Sequence, residues 1–190
     1  MSRVSNRRRA ALMAGALALS LTAVAIQQNP PPANRLAGYS SYEMMPLTLA
    51  PELGDKKNVE KVVAVIDADL KKSIASILEG WNSSADKASP QKLVIEPRIT
   101  QLHKPSGATR FFAGAMAGNG YVNMRVRITE QPSGKLIAEP EFYRRANALA
   151  GAWTMGAHDS AMLQKVAGLL ANYLTANYKE AVGGDTGFEP

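Results

Sequence analysis

The run Tyr121–Ile128, YVNMRVRI, alternates without a break over eight residues. Val122, Met124, Val126 and Ile128 fall on one side, and Tyr121, Asn123, Arg125 and Arg127 on the other. A period of two is the signature of a half-buried β-strand, because successive side chains point to opposite faces of a sheet. Gln131-Pro132-Ser133-Gly134 then reads as a turn, with glycine where left-handed backbone is needed, and Lys135 opens a returning strand. The hairpin has one apolar face that must be covered and one charged face that stays in water. If Thr129 sits opposite Lys135, Arg125 faces Glu139 and Met124 faces Pro140. Such a cross-strand ion pair contributes about 0.2–1 kcal/mol and aids register more than stability.

The cover for the apolar face is supplied on both sides of the hairpin. From Asp55 to Trp81, the residues Val59, Val62, Val63, Ile66, Leu70, Ile74, Ile77, Leu78 and Trp81 recur at three- and four-residue steps, while Lys61, Asp67, Lys71 and Lys72 lie off that stripe. This predicts a core-facing amphipathic helix, with Asn58 as N-cap and Gly80 as its stop. A last helix is expected after Asp159 or Ser160, burying Met162, Val166, Leu169, Leu170, Tyr173 and Leu174. Glu43 to Leu49 and Lys92 to Leu102 read as strands; Pro97, which cannot donate to a ladder, points to an edge or a bulge. The expected fold is α+β: a mainly antiparallel sheet of about four strands with two helices on one face, in the order strand, helix, three strands, helix.

The 190 residues suffice for one ordinary domain. The expected boundaries are a signal peptide or N-terminal anchor over 1–25, a Pro-rich linker over 26–35, the domain over 36–181 and a flexible tail over 182–190. Arg7-Arg8-Arg9, the apolar run Ala10 to Leu21 and the small-x-small Ala23-Val24-Ala25 predict export with cleavage after Ala25. The alternative is a retained anchor through residues 10–26, at the short edge for a spanning helix. Without the four arginines of that segment the formal charge falls from +6 to +2. A domain so nearly neutral has no electrostatic case for binding nucleic acid. The chain has no cysteine, which excludes disulfides, thiol nucleophiles and lipid attachment at a processed N-terminal Cys.

No catalytic constellation stands out. His103 and His158 lie far apart with no further His or Cys to complete a zinc set, so no metal and no cofactor is expected. The glycine-rich run Ala113 to Gly120 leads into a strand and lacks a Lys-Ser/Thr pair, so it does not read as a phosphate loop. Ser160 beside His158 and Asp159 is adjacency in sequence, whereas triads assemble from distant segments. Glu139 and Glu141 share one strand face and could act as acid and base, but Arg125 and Arg127 opposite them favour ion pairing. Trp153, alone among Ala, Gly and Met in residues 146–157, either fills a core pocket or projects as an anchor of the kind enriched at interfaces.

The export signal, the Pro-rich linker, the strand-helix start and the segment GAMAGNGYVNMRVRITEQPSGKLI together resemble small Gram-negative envelope lipoprotein domains of unknown function. The fold group looks like that of the TolB amino-terminal domain and the curli-secretion lipoprotein. The resemblance implies an accessory or assembly role in the envelope without enzymatic activity. It departs at Thr22-Ala23-Val24-Ala25-Ile26, where those lipoproteins carry the lipidated Cys. The expectation is therefore a non-catalytic periplasmic protein that binds an envelope protein partner or self-associates, tethered to the membrane only if the N-terminal segment is uncleaved. Tyr143, Arg144, Arg145 and Trp153, together with the sheet edges, are its candidate contact surface. The alternatives are an envelope enzyme built from Glu139, Glu141, Tyr143 and His158, and a carrier holding a small apolar ligand between sheet and helices.

Overall fold

A computed structural model of the protein describes residues 28–54, 59–103, 120–145 and 157–188, without the side chains of 61–62 and 157–163. The expected signal segment, Asn58, the glycine-rich lead-in and Trp153 lie outside the described residues, as do the side chains of His158 and Met162. The elements in chain order are β1 (Gln28–Asn29), β2 (Ser41–Met44), β3 (Thr48–Leu49), a 3-10 turn (Pro51–Leu53), α1 (Val59–Ser83), β4 (Lys92–His103), β5 (Tyr121–Gln131), β6 (Lys135–Ala138), β7 (Glu141–Arg145), α2 (Ala157–Ala176) and β8 (Gly184–Asp185).

The main sheet has six strands. The long β4 and β5 pair antiparallel at its centre. β2 and β3 lie end to end along β4, both parallel to it, and β6 and β7 lie end to end along β5, both antiparallel. The parallel pair exists because α1 carries the chain back between β3 and β4, the crossover that parallel strands require. Both helices pack on one face, where a single core gathers Ile66, Leu70 and Ile74 of α1, Leu170 and Leu174 of α2, and Ile95, Ile99, Met124, Ile128 and Phe142 of the sheet. The fold is the α+β arrangement that the hydrophobic periodicities predict.

Pro97 lies in the middle of a central strand, yet the edge argument explains its place. It stands opposite Val126, whose N–H turns the other way to donate to the Pro140 carbonyl at 2.9 Å. The donor that Pro97 lacks would therefore point toward β2 and β3, where that lane is interrupted over residues 45–47. Backbone bonds from Met45 to the Ile95 carbonyl and from Ala50 to the Ile99 carbonyl, both 2.9 Å, bracket the gap. Pro97 thus occupies a local edge within a long strand.

Four expectations need correction. The hairpin register is Glu130 opposite Lys135 and Thr129 opposite Leu136, and a bulge then places Arg125 opposite Glu141 and Met124 opposite Phe142. The turn shifts the register by one residue and the bulge by one more, which together carry the ion pair from Glu139 to Glu141. Gly80 does not stop α1, which continues to Ser83; the Ser83 and Ser84 hydroxyls donate to the carbonyls of Glu79 and Gly80 at 2.8 and 3.0 Å. α2 begins at Ala157, so Asp159 and Ser160 lie in its first turn and are not its caps.

The fourth correction concerns the linker and the tail, which form part of the domain. Gln28–Asn29 and Gly184–Asp185 pair as an antiparallel ribbon. Asn177, fully buried at the end of α2, fixes the turn before it: its Nδ2 donates to the carbonyls of Tyr173 and Gly183, and its Oδ1 accepts from the N–H groups of Val182 and Gly183, all at 2.8 Å. Gly183 takes a positive φ of 81° against the Asn29 carbonyl, where a Cβ would collide. The Tyr173 hydroxyl donates to the Pro30 carbonyl at 3.1 Å. Prolines and glycines here serve tight packing of the two terminal segments, not freedom.

The same segments close the sheet. At the β7 edge the Asn29 side chain behaves like a neighbouring peptide, accepting from the Glu141 N–H at 2.8 Å and donating to the Glu141 carbonyl at 2.9 Å. One step along, the Tyr143 N–H donates to the Thr186 carbonyl at 2.7 Å. At the β2 edge Asn82 does likewise with Tyr42, at 2.9 Å for both bonds. The sheet edges, expected as contact surface, are occupied by the chain itself at these positions, because unpaired strand edges invite uncontrolled pairing.

Candidate functional site

With both helices on one side, the opposite face of the sheet is bare of any helix among the described residues. The alternation of β4, β5 and β7 sends Glu96, Arg98, Gln101, His103, Tyr121, Asn123, Arg125, Arg127, Glu141, Tyr143 and Arg145 to that face. Thr100, where the β4–β5 register shifts, brings Gln101 and His103 onto it after Arg98. An aromatic row crosses one end: His103 and Tyr121 have ring centroids 5.5 Å apart, Tyr121 and Tyr143 5.8 Å, and Tyr143 and Phe188 5.4 Å.

Two hollows of about 580 Å³ each open on this face and share Arg125 and Glu139. The first has a floor of Gln101, Asn123, Arg125 and Glu141 and a wall supplied by the terminal segments through Asn29, Pro30, Thr186 and Phe188. The second is bounded by Met45, Pro46 and Pro51 and floored by Glu96, Arg98 and Arg127. Both are large enough for a side chain or short segment of a partner.

Arg125 and Glu141 form the ion pair between the hollows, with Arg125 Nε 2.7 Å from Glu141 Oε1 and the second guanidinium nitrogen on the same oxygen. The guanidinium is held above its ordinary pKa first by this hydrogen bond; burial, the next largest effect, opposes it, and the charges of Glu141 and Glu139 add to the rise. The Tyr143 hydroxyl is raised by burial, with Arg145 opposing and Tyr121 adding. Asn123 Oδ1 is buried and accepts no hydrogen bond among the described residues.

The structure separates the predicted contact residues. Tyr143 and Arg145 stand on the bare face, whereas Arg144 has the opposite parity and turns toward the terminal segment near Gly187. Trp153 lies outside the described residues. Of the alternative catalytic set, Glu139, Glu141 and Tyr143 do meet around one hollow, but Glu141 is engaged by Arg125. The side chain of His158 lies outside the described residues. Both hollows open on the bare face, whereas the hydrophobic core lies between sheet and helices. Among the described residues, no group of three or more His, Cys, Asp or Glu could hold a metal ion, and no helix is long and apolar enough to cross a membrane.

Phe188, Asn29 and Gln101 were not recognisable as site residues. The first two sit in segments whose composition reads as linker and tail, and the outward direction of Gln101 depends on the shift at Thr100. Tyr143 was recognisable, because its place in an alternating strand puts it beside Tyr121.

A family model matches residues 40–152, more than half of the chain. The chain belongs to the DUF4410 family, a domain of unknown function. The DUF4410 match covers the sheet that floors both hollows, while Asn29, Pro30, Thr186 and Phe188 lie outside it. Comparison with curated proteins returns no match. Among solved structures, this DUF4410 chain is similar to the PelC dodecamer from Paraburkholderia phytofirmans, with 10% identity and a TM-score of 0.41 over 82% of this chain and 97% of that one. It is similar to a DUF330 protein from Xanthomonas campestris, with 9% identity and a TM-score of 0.42 over 77% and 86% of the two chains. A hypothetical protein from Chlamydia trachomatis gives 12% identity and a TM-score of 0.41 over 74% and 99%. At such identities nothing about ligand or partner passes to this chain.

Proposed function

We propose that this protein is a non-catalytic accessory module of the bacterial envelope, exported to the periplasm, that binds a protein partner on the bare face of its sheet. The observation that supports this is the division of the sheet: one face and the edges at Tyr42 and Glu141 are satisfied by the chain itself, while the other face keeps two hollows, an aromatic row and mixed charge. Interfaces favour this combination of aromatic and arginine side chains around concave pockets. The export reading rests on the cationic and apolar N-terminal segment with its small-x-small site. The envelope-domain resemblance adds to it.

Photocrosslinking in intact cells tests the reading. A benzoylphenylalanine placed at Arg127, exposed on the bare face, is expected to give one discrete adduct, and the same group at Glu79, exposed on α1, none. Intact mass then identifies the adduct and the N-terminus of the bait. No adduct from Arg127, or equal yields from both positions, would refute a binding role for this face.

A further inference from the structure

We propose that the hollow between Asn123, Glu139 and the rings of Tyr143 and Phe188 seats a lysine side chain presented by the protein partner; this rests on the binding role proposed above. The first support is charge. The lining residues carry two carboxylates, Glu139 and Glu141, against one guanidinium, Arg125. Arg125 is bonded to Glu141, and Glu139, which stands where the two hollows meet, forms no ion pair among the described residues.

The second support is Asn123, a side-chain amide in the lining that carries both a donor and an acceptor. Asn123 lies directly between Gln101 and Tyr143 across the sheet, which fixes it at the floor of the hollow. The third support is the pair of rings, Tyr143 and Phe188, 5.4 Å apart at the wall. Ring faces attract a cation within about 6 Å.

These groups together ask for a ligand rich in donors and positively charged. An ammonium has three donors and no acceptor, and its compact charge suits acceptors that are scattered and not paired. A guanidinium prefers a carboxylate that it can grip with two donors, and Glu141 is already held that way by Arg125. A carboxylate ligand would meet Glu139.

The test is an amide NMR titration of the full chain with trilysine, using triglutamate as control. Trilysine is expected to shift the signals of Gln101, Asn123, Tyr143 and Phe188, and Glu139→Gln to weaken binding about ten-fold, the loss of one charge-assisted hydrogen bond. Asn123→Leu and Phe188→Ala should weaken it by similar factors, with Glu139→Gln, an exposed position, guarding against misfolding. Shifts confined to the second hollow, equal shifts with triglutamate, or unchanged affinity in Glu139→Gln would overturn the assignment. In cells, an adduct from Arg127 that persists undiminished in Glu139→Gln overturns the lysine site and leaves the binding role standing. Absence of any adduct overturns both.

Discussion

Asn177→Ala isolates the device that docks the terminal segments onto the domain. The side chain makes four hydrogen bonds of 2.8 Å at a fully buried position. Truncation orphans the Gly183 N–H and carbonyl, both in a buried residue. The Val182 N–H can turn to water because Val182 is 58% exposed, and the Tyr173 carbonyl still accepts from the Asn177 N–H at 3.1 Å. Two orphaned buried groups at about 1–3 kcal/mol each give a loss of about 2–6 kcal/mol. The upper part of that range is reached only if the segment stays docked. If it is released, the loss saturates at the docking free energy and the damage appears as local opening. Urea unfolding gives the global value, and hydrogen exchange at the Tyr143 amide, which donates to Thr186, reports the local one. The variant is expected to lower stability by at least about 2 kcal/mol or to speed that exchange at least ten-fold. A loss below about 1 kcal/mol with unchanged Tyr143 exchange would refute the view that Asn177 holds the segment.

Two further outcomes follow from the geometry. The Arg125–Glu141 pair has side chains 48% and 41% exposed, so solvent screens it, and a double-mutant cycle with alanine is expected to give no more than about 1 kcal/mol, falling with salt; a coupling of 3 kcal/mol or more, on the scale of a buried pair, would contradict its exposure. Tyr42 and Tyr173 are both pushed up to about 12 by burial, with Tyr178 adding to the effect at Tyr42. In the unfolded chain they ionise near 10, so their contribution to stability is intact below pH 10 and declines as pH rises toward 12. Urea midpoints across that window should fall with pH, and Tyr42→Phe or Tyr173→Phe should flatten the slope; equal slopes would oppose the reading.

The parts of the fold that repeat were legible in the sequence, and the parts that depend on one side chain were not. Val122 to Ile128 and the stripe from Val59 to Trp81 carry their periods openly, and both end in the core. Neither the turn register, with Glu130 opposite Lys135, nor the bulge opposite Ile128 has a compositional mark, and each moves the partner of Arg125 by one residue, from Glu139 to Glu141. Asn29 and Asn177 act through hydrogen bonds to backbone more than a hundred residues away or across a turn. No local pattern announces such bonds, and without them the proline and glycine runs read as linker and tail. The floor of the first hollow was half visible through Asn123, Arg125 and Tyr143. Its wall, built by those misread termini, was invisible.

The paired asparagines at Tyr42 and Glu141 bear on growth. A backbone strand that docks on an edge exposes a fresh edge identical in kind, so addition can repeat without limit. A side-chain amide supplies one peptide's worth of donor and acceptor and then ends in a methylene. Asn29 and Asn82 are therefore chain terminators in the polymer chemist's sense. At these two positions strand addition is stopped after a single residue's worth of bonding, so a second chain cannot zip on through them.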